Sequence, residues 1–215
     1  MSETDAERAD RHRFTGRLEA FSDIVFGFAL AQSAFALQIP ATLDAVYAQL
    51  SNLVFFAITF ALIGAFWMMH YRIFHYAFAA QRVDVVLNFM LLAVVALLPY
   101  VLRLYLKFPE SEIASAAYSA ELGLGFSLLA ALEYRGLRLL GPSIAPKPLR
   151  SMRRALVRHA VPGVVFLAAL ALFVPLGLSA RYAWAAAPIG IAIVRSIDRA
   201  RDRAAAGTSA TVIES

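Results

Sequence analysis

Cysteine is absent from the 215 residues. That excludes disulfides, thiolate metal sites and a thiol nucleophile, and leaves the redox compartment open. Charge is also scarce: Asp, Glu, Lys and Arg make up 16% of the chain, against about 25% in ordinary soluble domains. No nucleophile elbow, Walker loop or Gly-x-Gly-x-x-Gly stretch occurs, so neither enzyme activity nor a cofactor is expected. Apolar residues, by contrast, reach 60%, with a mean hydropathy of +0.66. A soluble fold of this length could not hide that excess inside one core. The chain is therefore expected to be an all-α membrane protein. Its net charge of +5 and pI near 9.8 do not require nucleic acid, because Lys and Arg of membrane proteins gather on the cytoplasmic side.

A transmembrane helix needs about 20 mainly apolar residues. Six segments qualify, near 18–39, 47–69, 85–106, 113–134, 156–178 and 180–197. Pro40 and Asp44 close the first, and His70 to Asp84 forms a polar-aromatic connection. Residues 135–154, with Gly141, Pro142, Pro146 and Pro148, read as the only long loop. Ser179 and Arg181 alone separate the fifth span from the sixth. Arg8 to Arg17, Arg72, Arg82, the Arg135–Arg158 group and Arg195 to Arg203 all fall on one side of this arrangement. Only Arg103, Lys107 and Arg181 of the 20 Lys and Arg residues fall on the other. Both termini are thus expected in the cytoplasm. The expected division is a cytoplasmic arm over 1–16, a six-helix transmembrane unit over 17–199 and a disordered tail over 200–215. The arm is too acidic and too charged for a signal peptide.

The stretch Arg17-Leu-Glu-Ala-Phe21-Ser22-Asp23 runs straight into apolar helix. An ionisable group at the edge of a span is costly unless paired, so Asp23 should have a fixed partner. Helical spacing aligns Asp23, Gly27, Ala31 and Ala34, a stripe of small residues that lets another helix approach closely. The neighbouring stripe is Ile24, Phe28, Gln32, Phe35 and Ile39. Periodicity leaves open whether this bulky stripe faces lipid, another helix or an aqueous route. Gln32 argues against lipid, since a primary amide at mid-membrane needs a hydrogen-bond partner or water.

With these residues the chain resembles the TMEM175 family of lysosomal potassium channels and their bacterial homologues. The Arg17-x-x-x-Phe21-Ser22-Asp23 motif is similar to the family signature. Phe66-Trp67-Met-Met-His70, Leu87-Asn88 and Leu97-Leu98-Pro99-Tyr100 follow in the family's order. The resemblance covers residues 17–100, and beyond them only the count of six spans supports it. It implies a homotetramer in a bacterial inner membrane that passes potassium and other monovalent cations, with the first helix of each copy lining a central pore. Apolar side chains then form the constriction, which places Phe28, Ala31, Gln32 and Phe35 along the route. The family's Thr-Val-Gly-Tyr-Gly-free architecture agrees with the lack of that filter sequence here.

The resemblance also implies a polar network behind the pore helix. Arg17, Phe21, Ser22 and Asp23 would meet Trp67, His70, Tyr71 and Asn88, an indole N–H, an amide and a carboxylate satisfying one another away from water. Two departures stand out. Tyr71 replaces the second histidine of the family's pair. Ala31 stands where potassium-selective relatives carry a hydroxyl ring, and phenylalanines flank it where Ile and Leu are usual.

Outside these motifs, Glu121 lies about 12 Å into the fourth span at ~1.5 Å per residue. It is a satisfied interhelical carboxyl, a proton site or a partner for Arg103. A second function class follows from it: a proton-coupled secondary transporter using Glu121 and Gln32. His70 and His75 are five apart and share no helical face, which argues against a metal or haem pair. The arginines at 150–158 set topology, or touch anionic lipid head groups. Pro99, Pro162, Pro175 and Pro188 are expected to kink or end their helices.

Overall fold

The structure, a computed structural model, describes residues 5–35, 37, 42 and 50–213, with side chains described between residues 6 and 203. Ile39, Pro40, Asp44 and residues 47–49, which figure in the expected ends of the first two spans, lie outside the described residues. Among those described there are six α-helices and no strand. They are α1 (Asp5–Ala34), α2 (Leu50–Ala77), α3 (Arg82–Lys107), α4 (Glu112–Leu140), α5 (Pro146–Leu176) and α6 (Ala186–Ile213). Short 3-10 turns at Gly141–Ser143 and Gly177–Ala185 join α4 to α5 and α5 to α6.

Four described stretches are long and apolar enough to cross a membrane: Leu50–Ala77, Arg82–Lys107, Glu112–Ser143 and Pro146–Arg203. The last contains α5, the Gly177–Ala185 turn and α6 as far as Arg203. A multi-pass membrane protein follows from these four alone.

The helices outrun their apolar centres. The expected connection from His70 to Asp84 shrinks to residues 78–81, because α2 continues to Ala77. The expected long loop over 135–154 is mostly helix, with only residues 141–145 between α4 and α5. Hydropathy marks the lipid-thick middle of a helix, whereas Arg, Glu and Lys are good helix formers that carry it past the bilayer. Pro99 and Pro162 sit inside α3 and α5, which run through them, whereas α5 ends one residue after Pro175.

The turns are tight. Ala80 adopts φ 55° in the link between α2 and α3, a left-handed conformation that costs a residue with a Cβ. Gly177 takes φ 52° where α5 gives way to the 3-10 turn. Gly136 permits a close approach: a Cβ there would lie 2.0 Å from the Ala77 carbonyl oxygen, so the end of α4 rests on the end of α2.

One core unites the bundle, drawing Leu18, Phe26 and Ala29 from α1, Ile63, Phe66 and Ile73 from α2, and Leu91, Val95 and Leu98 from α3. Leu122, Leu129 and Leu132 from α4, Phe166 from α5 and Ala187 from α6 also belong to it. α1 packs against α2 and α3, while α4 packs chiefly against α5 and α3. Polar contacts gather the basic residues at one end. Arg72 donates to Ser151 at 2.8 Å, Arg135 Nε to Asp84 at 2.5 Å, and Arg154 to Asp202 at 2.8 Å. At the opposite end Arg103 lies over the Phe55 ring at 5.0 Å, and Arg181 donates to the Pro109 carbonyl at 2.6 Å.

Candidate functional site: the first helix and the polar residues behind it

One face of α1 is dictated by packing. Leu18, Ser22, Phe26, Ala29 and Ser33 recur at helical spacing and are all buried against α2 and α3. Ser22 and Ser33 are tolerated there because each hydroxyl donates to its own helix, to Leu18 O at 2.8 Å and Leu30 O at 2.7 Å.

Behind that face three helices share a hydrogen-bonded chain. Asn88 of α3 donates from Nδ2 to Ser22 Oγ at 3.2 Å, and its Oδ1 lies 2.8 Å from His70 Nε2 of α2. Since a carbonyl oxygen only accepts, the proton sits on Nε2 of the histidine. The three residues are 0–1% exposed. Phe26 and Phe74 enclose the imidazole, with ring centroids 5.3 and 4.4 Å away. At this burial each bond satisfies a group that would otherwise be orphaned in an apolar interior.

A second, more open pair lies beside it. Trp67 Nε1 of α2 donates to Asp23 Oδ1 at 2.8 Å, joining positions 44 apart in sequence. The indole is 37% exposed and stacks on Tyr71 at 5.9 Å, and Tyr71 in turn on His75 at 5.7 Å. Tyr71 therefore enters this group through its ring. Phe21 packs on Phe89 of α3 at 5.7 Å. Arg17 is exposed and helps to line a surface cavity of about 680 Å³ between α1 and α3, together with Phe21 and Phe89.

The opposite face of α1 is uncovered among the described residues. Ile24 is 69%, Phe28 57% and Phe35 78% exposed, while Ala31 and Gln32 are half-buried at its border. A Cβ built on Gly27 meets nothing within 4 Å, so this position of the small-residue stripe is open among the described residues. The residues implied for the route through the membrane thus share a surface that the bundle leaves uncovered.

Several buried groups carry no local sequence signal. Asp84, 2% exposed, accepts the Gln81 N–H at 3.0 Å and Arg135 Nε at 2.5 Å, while Gln81 Oε1 accepts Arg135 Nη2 at 3.2 Å. Glu133 of α4 and His159 of α5, both buried, approach to 2.9 Å. The Gln81-to-Asp84 spacing is that of a capping box at the start of α3. Glu121 is buried on α4, and its Oε1 has no hydrogen-bond partner among the described residues. Gln32 stands on α1, whose packing partners are α2 and α3, so no shared helix pair brings it to Glu121.

Residues 17–99 match the profile of the family described as "Endosomal/lysosomal potassium channel TMEM175". A potassium channel of Streptomyces collinus is 32% identical over 115 residues, covering 49% of this chain and 56% of the relative. A potassium channel of Chamaesiphon minutus is 31% identical over 116 residues, covering 49% and 57%. One from Marivirga tractuosa is 34% identical over 92 residues, covering 43% and 37%. The chain therefore spans about half the length, or less, of the curated relatives it matches. Its fold is that of two solved channels. A variant of the potassium channel MtTMEM175 superposes with a TM-score of 0.68 at 20% identity, covering 87% of this chain and 93% of that one. The lysosomal potassium-selective channel TMEM175 homologue from Chamaesiphon minutus superposes with a TM-score of 0.60 at 21% identity, covering 86% and 96%. The TMEM175 resemblance read from the motifs is borne out over the residues that carry it.

Proposed function

We propose that this multi-pass membrane protein, with its TMEM175 sequence signature and fold, conducts potassium and other monovalent cations passively across the membrane. Each chain crosses six times with both termini on the cytoplasmic side. Four copies meet around a common axis, and α1 of each lines the route. The observation that carries this reading is the division of α1. One face is fastened by the Ser22–Asn88–His70 chain, while Phe28 and Phe35 stand 57% and 78% exposed on the other. A ring of phenylalanines makes a narrow apolar passage that closes by drying out, and Gln32 supplies the polar ring between them. The gathering of basic residues at one end of the bundle supports the cytoplasmic placement of that end. The polar residues behind α1 hold it in place and perform no chemistry.

Purified protein in potassium-loaded liposomes tests this reading. Passive flux down the gradient should rise on Phe28→Ala, which widens and hydrates the passage. A second reading, proton-coupled transport through Glu121, draws on the unpartnered carboxyl oxygen of that residue. Saturable, proton-driven uptake abolished by Glu121→Gln, with no effect of Phe28→Ala, would replace the channel reading with the carrier.

A further inference from the structure

At the end of the bundle where the cations collect, α5 and α6 part to leave a cavity of about 660 Å³. Six Lys and Arg side chains line it against two carboxylates. Both carboxylates are taken by one cation: Arg154 makes two hydrogen bonds to Asp202, at 2.8 and 2.5 Å, and its Nε lies 3.5 Å from Asp198. Arg150, Arg195 and Arg199 face the same cavity, with no carboxylate at ion-pair distance among the described residues. Like charges confined between two helices repel one another, and an anion would relieve them.

A second cavity of about 450 Å³ shares Arg150, Arg154 and Asp198 with the first; Arg153 and Arg201 also border it, and Val157 of α5 with Val194 and Ile197 of α6 give it one apolar side. Val157 and Ile197 are 46% and 45% exposed. Their order along the chain matters. On α5 the apolar run follows the arginines, and on α6 it precedes them. The Arg154–Asp202 pair sets the start of α5 beside the far part of α6, so both helices change from charged to apolar in the same direction. That is the order of a phospholipid from head to tail.

We propose that this paired cavity binds one anionic phospholipid. Its phosphodiester sits among Arg150, Arg195 and Arg199, where planar guanidinium groups hydrogen-bond phosphate oxygens, and an acyl chain lies along Val157, Val194 and Ile197. A soluble phosphate would use the cations alone and leave the apolar wall bare. The site is independent of how ions cross the membrane.

The test uses intact, detergent-solubilised protein titrated with phosphatidylglycerol or phosphatidylcholine, with binding read by native mass spectrometry and by thermal shift. Phosphatidylglycerol should bind and stabilise, whereas phosphatidylcholine and glycerol phosphate should not. Each surface cation contributes about fivefold to anionic-lipid affinity, so Arg195→Gln/Arg199→Gln should lose about 30-fold. Val157→Asn/Val194→Asn should weaken phosphatidylglycerol binding as well. Arg82→Gln/Arg138→Gln, which removes two cations outside both cavities, should leave it unchanged. If the arginine double variant no longer elutes as a folded species, Arg150→Gln alone should still show the fivefold loss. Equal stabilisation by phosphatidylcholine, equal competition by glycerol phosphate, or unchanged affinity in the arginine variants would each overturn the proposal.

Discussion

Replacing Asn88 by alanine probes the bond that ties α1 to the rest of the bundle. Asn88 is fully buried and makes two side-chain hydrogen bonds, 3.2 Å to Ser22 and 2.8 Å to His70. Without the amide, Ser22 keeps its bond to the Leu18 carbonyl, but the imidazole N–H is left with no acceptor. Hydrogen bonds within membrane proteins contribute about 0.6 kcal/mol each on average and up to about 1.7, so losing two is expected to cost about 1–3 kcal/mol. The assay is reversible unfolding of the purified protein in mixed micelles under increasing denaturing detergent. His70→Ala and the Asn88→Ala/His70→Ala double variant complete a cycle. The two single losses should not add, because they remove the same bond. A cost below about 0.3 kcal/mol for Asn88→Ala would show that this chain does not hold α1, and strict additivity with His70→Ala would show that the His70–Asn88 bond adds nothing to it.

Other substitutions test the surrounding packing. Gly136→Ala drives a methyl group onto the Ala77 carbonyl, so α4 and α2 must separate. A loss of about 2 kcal/mol or more in the same unfolding assay is expected. Arg135→Met leaves buried Asp84 with only the Gln81 N–H. Because Arg135 is 27% exposed and water screens the pair, the cost should be about 2 kcal/mol, below the full price of breaking a buried ion pair. Ala80→Gly relieves the left-handed backbone at φ 55° and should raise the unfolding midpoint by an amount worth about 1 kcal/mol.

The centres of the spans that begin at Leu50, Arg82 and Glu112 were legible because lipid imposes one demand, a run of about 20 apolar residues, and that demand is local in sequence. Helix ends were not. Tyr71 to Ala77 and Arg135 to Leu140 carry Arg72, His75, Arg135 and Arg138 among apolar residues, yet they remain helical because neither stretch contains proline. The need for a partner at Asp23 could be read from the cost of a carboxylate beside lipid. That the partner is Trp67, 44 residues away, came from the order of the family motifs rather than from local pattern. Periodicity separates two stripes on α1, and the structure buries a third, Leu18–Ser22–Phe26–Ala29–Ser33, whose two serines mask its apolar character in the sequence. The pairs Asp84–Arg135 and Glu133–His159 join helices whose rotation about their axes is set by packing as a whole, so neither partner announces the other. The small residues that let helices touch, such as Gly136, likewise become meaningful only when the opposing backbone is in place.

The absence of native cysteine makes the decisive measurement simple. A single cysteine replaces Gln32 on α1, and another, in a separate variant, replaces Val174, which stands 93% exposed on α5. Both are reconstituted into liposomes, and potassium flux is followed while a charged, membrane-impermeant methanethiosulfonate reagent is added. Flux through the Gln32→Cys protein should be blocked and that through Val174→Cys untouched. Unimpaired flux through fully modified Gln32→Cys protein would mean that ions do not pass along the first helix.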